Sequence, residues 1–489
     1  MFWRSLTALG TGIVLAFLSP VAWGGQLYVG AAATDITPEK PAALSGQFHI
    51  RISTGVESPV TANVVAIETR DGDRSIDSAV VVSCDVVVIP SDVLEMVRQE
   101  TAKRLPDLDT QKIFLAATHT HTAPELRLGN WILPKEGVTQ VEEYRSFFAE
   151  RIAEAIAKAW KARKPGSVAW GLSHAVVAYN RRAVYADGSA RMYGPTNGPE
   201  FRGLEGYEDH DIGTMFFWTD GDSPLAAIVN VSCPSQEVES RRAVNADYWH
   251  PVRAALQERY GKGLCVIGLC GAAGDQSPHL MYRKTAEERM RELRGLDRLN
   301  EIARRITAAV DDAWAAVRDD RHTDVPLVHK AETVALPMRL VTEAEYAEAK
   351  AGVDAAVAKI AKDPKAADSE NRRMKWYQAT VDRFERQKTD PNPMQETEIH
   401  AVRIGDAVVC TNQFELFTDF GIQIKGRSKA EQTFVVQLAG PGTYLPTARA
   451  VKGGHYSAIV HSNHVGPEGG QVLVDKTVEL IDSMWTDGK

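Results

Sequence analysis

Two histidines two residues apart, His119 and His121, sit in the run KIFLAATHTHTAPE, where an apolar stretch gives way to alternating threonine and histidine. On an extended segment, residues i and i+2 point to the same face. Two imidazoles so placed can share a metal ion, or one can ligate while the other touches substrate; imidazole nitrogen is a favoured ligand of Zn²⁺. The plain alternative is a pair of loop histidines bonded to threonine hydroxyls and backbone. A second candidate is GAAGDQSPHL, which follows an apolar strand-like run and carries Ser277 before Pro278. Glycines there let the backbone approach a ligand closely. Ser277 is then a candidate nucleophile, although the segment is not the GxSxG elbow of α/β-hydrolases; a turn-forming loop serine is the alternative.

Two further groups belong to the same inventory. Glu415 lies between Phe414 and Leu416. A carboxylate in such company, if buried, needs a cation, a hydrogen bond or a proton; otherwise it is a strand-end residue facing water. Tyr444 and Tyr456 are twelve apart in the Gly-rich GPGTYLPTARAVKGGHYSA. Phenol oxygens can bind metal or stabilise an oxyanion, and half-buried loop tyrosines are the alternative.

The elements that must position these residues alternate between strand and helix. SAVVVSCDVVVIP (Ser78–Pro90) reads as a buried strand, and SDVLEMVRQETAKRL as a helix capped by Ser91 or Asp92. KIFLAAT is the next strand, and VEEYRSFFAERIAEAIAKAWKAR has the apolar spacing of a long surface helix. TMFFWTD and PLAAIVNVSC predict a hairpin around Asp220-Gly221. YWHPVRAALQERYG is helical, and LCVIGLC is a strand entering the Gly-rich loop. The pattern predicts an α/β fold, with mixed β-sheets surrounded by helices. Residues 342–390 stand apart: charged, Ala-rich and helical, with a break at Asp363-Pro364. They predict a two-helix excursion from a single catalytic domain spanning 25–489.

Composition narrows the function. The chain has 489 residues, 44% of them hydrophobic, and a net charge of -8. No long basic run offers the cationic surface that nucleic acid needs. Residues 1–24 combine Arg4, a short apolar segment and the small residues Ala22 and Gly24. They predict a cleaved signal peptide and a secreted or periplasmic protein. No other apolar run reaches the ~18 residues of a membrane helix. Five cysteines, mostly in apolar runs, predict buried free thiols rather than a disulfide framework.

Taken in order, THTHT at 118–122, Asn180-Arg181, GDQSP at 274–278, FELF at 414–417 and the Tyr pair resemble the neutral/alkaline ceramidase family. So do the opening VGAAATDITP and the closing PEGGQVLVDKTVELI. Members of that family are zinc-dependent amidases that cleave the N-acyl bond of ceramide. The resemblance implies a ceramidase-type catalytic domain, here without a C-terminal β-sandwich. It implies Zn²⁺ as cofactor, with His119, Glu415 and Tyr444 as ligands. His121, Arg181, Ser277 and Tyr456 would be catalytic. The family's second zinc histidine has no counterpart in IVNVSCPSQEVES, which leaves Cys233, His250 or His121 as replacements. The expected activity is hydrolysis of an amide on a small-molecule, lipid or glycan substrate that need not be ceramide. Two alternatives stand beside it: β-elimination on a uronic-acid-containing glycan, with a metal and Arg181 neutralising the carboxylate while a Tyr or His removes the α-proton, and a non-catalytic binding protein.

Overall fold

The computed structural model describes residues 24–485, apart from the side chain of Asp368. The expected leader up to Gly24 therefore lies outside the described residues but for Gly24 itself, which begins the first strand.

Runs of consecutive apolar residues become strands buried on both faces. In Thr61–Asp71, Val64 and Ala66 enter one core while Val65 and Ile67 enter another. In Arg74–Cys84, Val80 and Val82 alternate with Ala79 and Val81 in the same way. A strand covered on both sides has no face to leave polar, which is why these segments read as continuous hydrophobic runs. They lie in a nine-stranded mixed sheet. Its neighbours pair antiparallel except for Arg74–Cys84 with Ile113–Ala117 and Ala407–Thr411 with Gln432–Val436. A four-stranded sheet of Cys265–Cys270, Ala226–Val231, Asp211–Trp218 and Ser167–His174 packs against it. Leu27, Val65 and Phe114 of the large sheet share that inner core with Met215, Ile228 and Ile267 of the small one.

Helices Ser91–Arg104 and Val141–Lys161 cover the outer face of the large sheet, and Trp249–Tyr260 and Arg298–Val317 that of the small sheet. The result is a helix–sheet–sheet–helix stack, in line with the mixed α/β reading. The hairpin at Gly221 is present between Asp211–Trp218 and Ala226–Val231. The excursion is present as helices Glu343–Lys362 and Ala367–Gln387, broken at Asp363-Pro364. All five cysteines are buried and free. Among the described residues no helix is long and apolar enough to cross a membrane.

Two local expectations need correction. The strand foreseen over Ser78–Pro90 ends at Cys84. Neither Ser91 nor Asp92 caps the following helix, because Pro90 holds the cap position and no side chain bonds there. Asp92 lies in the first turn and pairs with Arg145 instead.

Beyond Cys84, the chain turns on a buried ion pair. Arg253 donates to both oxygens of Asp85, at 2.6 and 2.8 Å, and Asp85 also accepts from the Thr61 amide at 2.9 Å and the Thr118 hydroxyl at 3.2 Å. Removing one partner strands the other charge in the interior, which costs about 3–5 kcal/mol. Asp85→Ala is therefore expected to lower the urea midpoint substantially. An unchanged midpoint would show that the pair is not needed to hold this corner.

Candidate active site

The histidine loop leaves the end of strand Ile113–Ala117 and is stitched on both sides. The Thr118 amide donates to the Cys84 carbonyl at 2.9 Å, and the Thr120 amide to the Val86 carbonyl at 3.1 Å. The threonines of the motif serve this framework: the hydroxyls of Thr118 and Thr120 lie 2.7 Å apart, and Thr122 donates to the Asn245 carbonyl at 2.7 Å. The segment is not extended, as the i, i+2 argument assumed. His119 has φ of +67°, in the left-handed region that non-glycine residues seldom occupy. The rings still meet, with centroids 4.6 Å apart. His119 Nδ1 is 2.9 Å from the Val87 carbonyl, which leaves Nε2 facing Glu415 Oε2 at 3.6 Å.

Burial, opposed by Glu415, leaves His119 below its ordinary pKa. Burial and the adjacent His119 push His121 down to about 3, so both rings are neutral near neutral pH. Glu239 Oε2 lies 3.1 Å from His121 Nδ1 but is poorly aligned, and neither ring nitrogen of His121 has a well-formed hydrogen bond. Gly46 packs against this ring: a Cβ there would fall 2.5 Å from His121 Cγ, and its φ is +98°. Gly46→Ala is expected to displace His121 and lower turnover by about 10-fold or more, since a 1 Å misplacement can cost ~10²-fold. The variant should keep its circular dichroism; wild-type kcat would show that the ring position is immaterial.

Arg181 is the centre of the site and is 1% exposed. Its guanidinium donates to the Gly274 carbonyl at 2.9 Å, the Tyr193 hydroxyl at 3.1 Å and the Tyr444 hydroxyl at 3.3 Å, and stands 3.9 Å from Glu415. These partners outweigh burial and keep it charged. The GDQSP loop is built around it. Asp275 accepts from Asn180 at 3.0 Å and from the Thr418 hydroxyl at 2.7 Å, while its carbonyl takes the Arg181 amide at 2.9 Å. Gly274 is required by the Glu415 strand rather than by a ligand: a Cβ would lie 2.3 Å from the Glu415 carbonyl oxygen. Ser277 is fully buried, and its Oγ accepts from the Tyr193 hydroxyl at 3.0 Å and the His279 amide at 3.1 Å.

Glu415 and Tyr444 face each other in a short parallel pairing of Glu415–Leu416 with Tyr444–Leu445. The Glu415 side chain is 14% exposed, largely covered rather than facing water. Tyr444 and Tyr456 meet edge to face at 5.6 Å. Burial, reinforced by Glu415, holds the Tyr444 phenol well above 10 and that of Tyr456 up to about 12, so both are protonated donors. Of the residues expected to act, His119, His121, Arg181, Ser277, Glu415, Tyr444 and Tyr456 thus gather around one centre.

The residues offered for the absent second histidine divide. The Cys233 thiol points to the Val177 carbonyl at 3.6 Å and packs with Tyr248 and Trp249, so it is turned into the core. His250 is exposed on the helix Trp249–Tyr260. Only His121 stands beside His119. Among the described residues, no three His, Cys, Asp or Glu side chains converge as a metal site. His119 Nε2 and Glu415 Oε2, at 3.6 Å, have about the separation of two donors on one tetrahedral zinc with bonds of ~2.0–2.2 Å. Tyr444, opposite Glu415, would be a third. A three-donor set with an open position fits a catalytic rather than a structural zinc.

Three participants were not singled out in the sequence. The Tyr193 hydroxyl binds Ser277 and Arg181 and accepts from Gln236 at 2.5 Å. Gln236 is buried with Oε1 unpaired. Arg182, fully buried, pairs with Glu205 at 2.6 Å and binds Ser457 and the Gly454 carbonyl, which clamps the loop carrying Tyr456. The doubled arginine of YNRRA was the available signal for Arg182. Tyr193 lies in no patterned segment, and Gln236, although within IVNVSCPSQEVES, is not a residue type that marks a metal site.

At the level of sequence, no protein-family model and no curated protein matches this chain. Among solved structures it is similar to neutral ceramidase from Pseudomonas aeruginosa, with a TM-score of 0.66 and 17% identity, covering 94% of this chain and 75% of that one. It is also similar to a structure titled "Ceramidase complexed with C2", with a TM-score of 0.63 and 15% identity over 94% of this chain and 76% of that one. The protein therefore has a ceramidase-like fold.

Proposed function

We propose that this chain is an exported, metal-dependent hydrolase of an N-acyl (amide) bond. The convergence of Arg181, two phenols, Ser277 and the His119–Glu415 pair on one buried centre carries the reading. The ceramidase-like fold supports it. His119, Glu415 and Tyr444 would hold Zn²⁺, which when bound polarises a carbonyl and lowers the pKa of water toward ~7.

The chain's own residues supply the rest. Arg181 and Tyr456 carry fixed positive charge and an O–H dipole to the place where a tetrahedral oxyanion develops, and Tyr193, donating to Ser277, positions that hydroxyl. His121 is neutral and accepts a proton only as charge develops; Glu239, 3.1 Å from Nδ1, stabilises the resulting imidazolium. Ser277 either attacks the carbonyl or orients the water that does.

The experiment is a panel of N-acyl substrates, from short-chain ceramide to N-acetylated amino sugars and acyl-amino acids, with release of free amine as readout. Amine release that follows the metal content of the preparation supports the reading. An unsaturated product absorbing in the ultraviolet, with no amine, would replace it by elimination. Ser277→Ala separates the two nucleophiles: turnover persists with water and vanishes with an acyl-enzyme.

A further inference from the structure

The second helix of the excursion roofs the site. Helix Ala367–Gln387 lays Arg372, Lys375 and Trp376 over a cavity of about 260 Å³ whose floor is Glu415, Tyr444 and Tyr456. Phe48 and Arg127 complete its walls. That volume falls below the ~300–1,000 Å³ of pockets that hold drug-sized ligands. It has room for one ring.

The lining has two chemical characters. Phe48, Trp376 and Tyr456 form a three-ring box, with centroid separations of 5.5, 5.6 and 6.0 Å. Such π-faces accept the C–H face of a sugar ring as they accept other apolar surfaces. The charge is positive. Arg127 is committed to Glu125 at 2.9 Å. Arg372 stacks over Phe48 at 5.2 Å and Trp131 at 5.4 Å and donates only to the Gln47 carbonyl, while Lys375 donates to the Gly129 carbonyl. Among the described residues neither cation has a carboxylate within ion-pair distance. Arg181 lies beneath them, and Glu415 is the one acid of the floor. His464, also in the lining, is held neutral by burial, down to about 4. Lys375 is exposed, but Arg372 is largely buried, and a desolvated cation that lacks a counter-charge favours an incoming anion.

A second open cleft, of about 840 Å³, is lined by Tyr193, Pro195, Glu239, His279 and Met281. Tyr193 binds Arg181, and Arg181 binds Tyr444 on the cavity floor.

We infer that the roofed cavity is a subsite for an anionic sugar unit of the substrate, a uronic acid or a sulfated sugar, with the remainder of the substrate in the open cleft. The inference deepens the proposed active site and rests on its position at Arg181. It sets the substrate apart from an uncharged two-chain amide.

Calorimetric titration of the mature chain with D-glucuronate, D-glucose 6-sulfate, D-glucose and inorganic sulfate tests it without turnover. At least one charged sugar should bind 10-fold or more tighter than glucose, and the two charged arms tell carboxylate from sulfate. Arg372→Ala should erase that preference, whereas Lys362→Ala, remote on the first excursion helix, should leave it intact. An unchanged melting temperature in Arg372→Ala shows that the loss is not unfolding. Glucose binding as tightly as both acids, or Arg372→Ala retaining the preference, overturns the inference. Inorganic sulfate matching both charged sugars reduces the cavity to an anion hole and overturns the sugar subsite. Amine release from an uncharged short-chain ceramide with no charged sugar bound overturns the subsite and leaves the amidase reading standing. Charged-sugar binding with no amide turnover does the reverse.

Discussion

Arg181→Met is expected to lower kcat/KM for any amide the protein hydrolyses by about 10²- to 10³-fold, mostly in kcat. That is the cost of removing one preorganised, buried donor to an oxyanion. Methionine keeps much of the packing volume but carries no charge, so the 2.9 Å bond to Gly274 and the 3.3 Å bond to Tyr444 are lost together. Two readouts separate a charge effect from a structural one. Guanidine added to the assay should restore part of the rate, and Arg181→Lys should recover little, because an ammonium cannot span the Gly274, Tyr193 and Tyr444 oxygens at once. A kcat within threefold of wild type in Arg181→Met would remove Arg181 from the mechanism.

The second large effect is expected at His119. The purified protein should carry about one divalent ion per chain, as a three-donor catalytic site would hold. His119→Ala should carry less than a tenth of that and show no turnover above background. The wild type should lose activity on dialysis against a chelator and regain it with Zn²⁺. Thermal stability gives an independent readout: added Zn²⁺ should raise the melting temperature of the stripped wild type and not that of His119→Ala, because only a ligand that binds the native state stabilises it. Full metal content in His119→Ala would mean that the ion sits elsewhere. No metal in either protein, with turnover intact in the wild type, would leave Arg181 and the phenols as the whole electrostatic apparatus.

The comparison of sequence with structure divides along physical lines. Several strands were legible because burial on both faces demands unbroken apolar runs such as AVVVSC and CVIGLC, although the same pattern in VVVIP continued past the end of its strand at Cys84. The excursion was legible because Asp363-Pro364 interrupts two charged helical stretches. Residue type also marked most of the site. His119, His121, Ser277, Glu415 and the Tyr pair stand out because imidazole, hydroxyl, phenol and carboxylate beside apolar or Gly-rich segments are uncommon without a use.

What the sequence could not contain is which of these groups meet, because side chains from residues 46 to 456 come together only when two sheets stack and their connecting loops interlock. Local reasoning placed His119 and His121 on an extended face. The bonds to Cys84 and Val86 instead force His119 into the left-handed region. Cys233 has the right chemistry for zinc but lies at a strand end that turns its thiol toward Val177, away from the site. Tyr193 and Gln236 were not marked by residue type; their importance comes from hydrogen bonds that link Tyr193 to Arg181, Ser277 and Gln236. The roof is the largest such case. Composition made residues 342–390 helical, but only packing against Phe48 and Tyr456 puts Arg372 and Trp376 over the site. The sequence by itself thus determined the elements and the reactive groups, through local burial patterns and residue chemistry. The tertiary structure alone decided their partners, because those depend on contacts between segments whose separation along the chain carries no information about their distance in space.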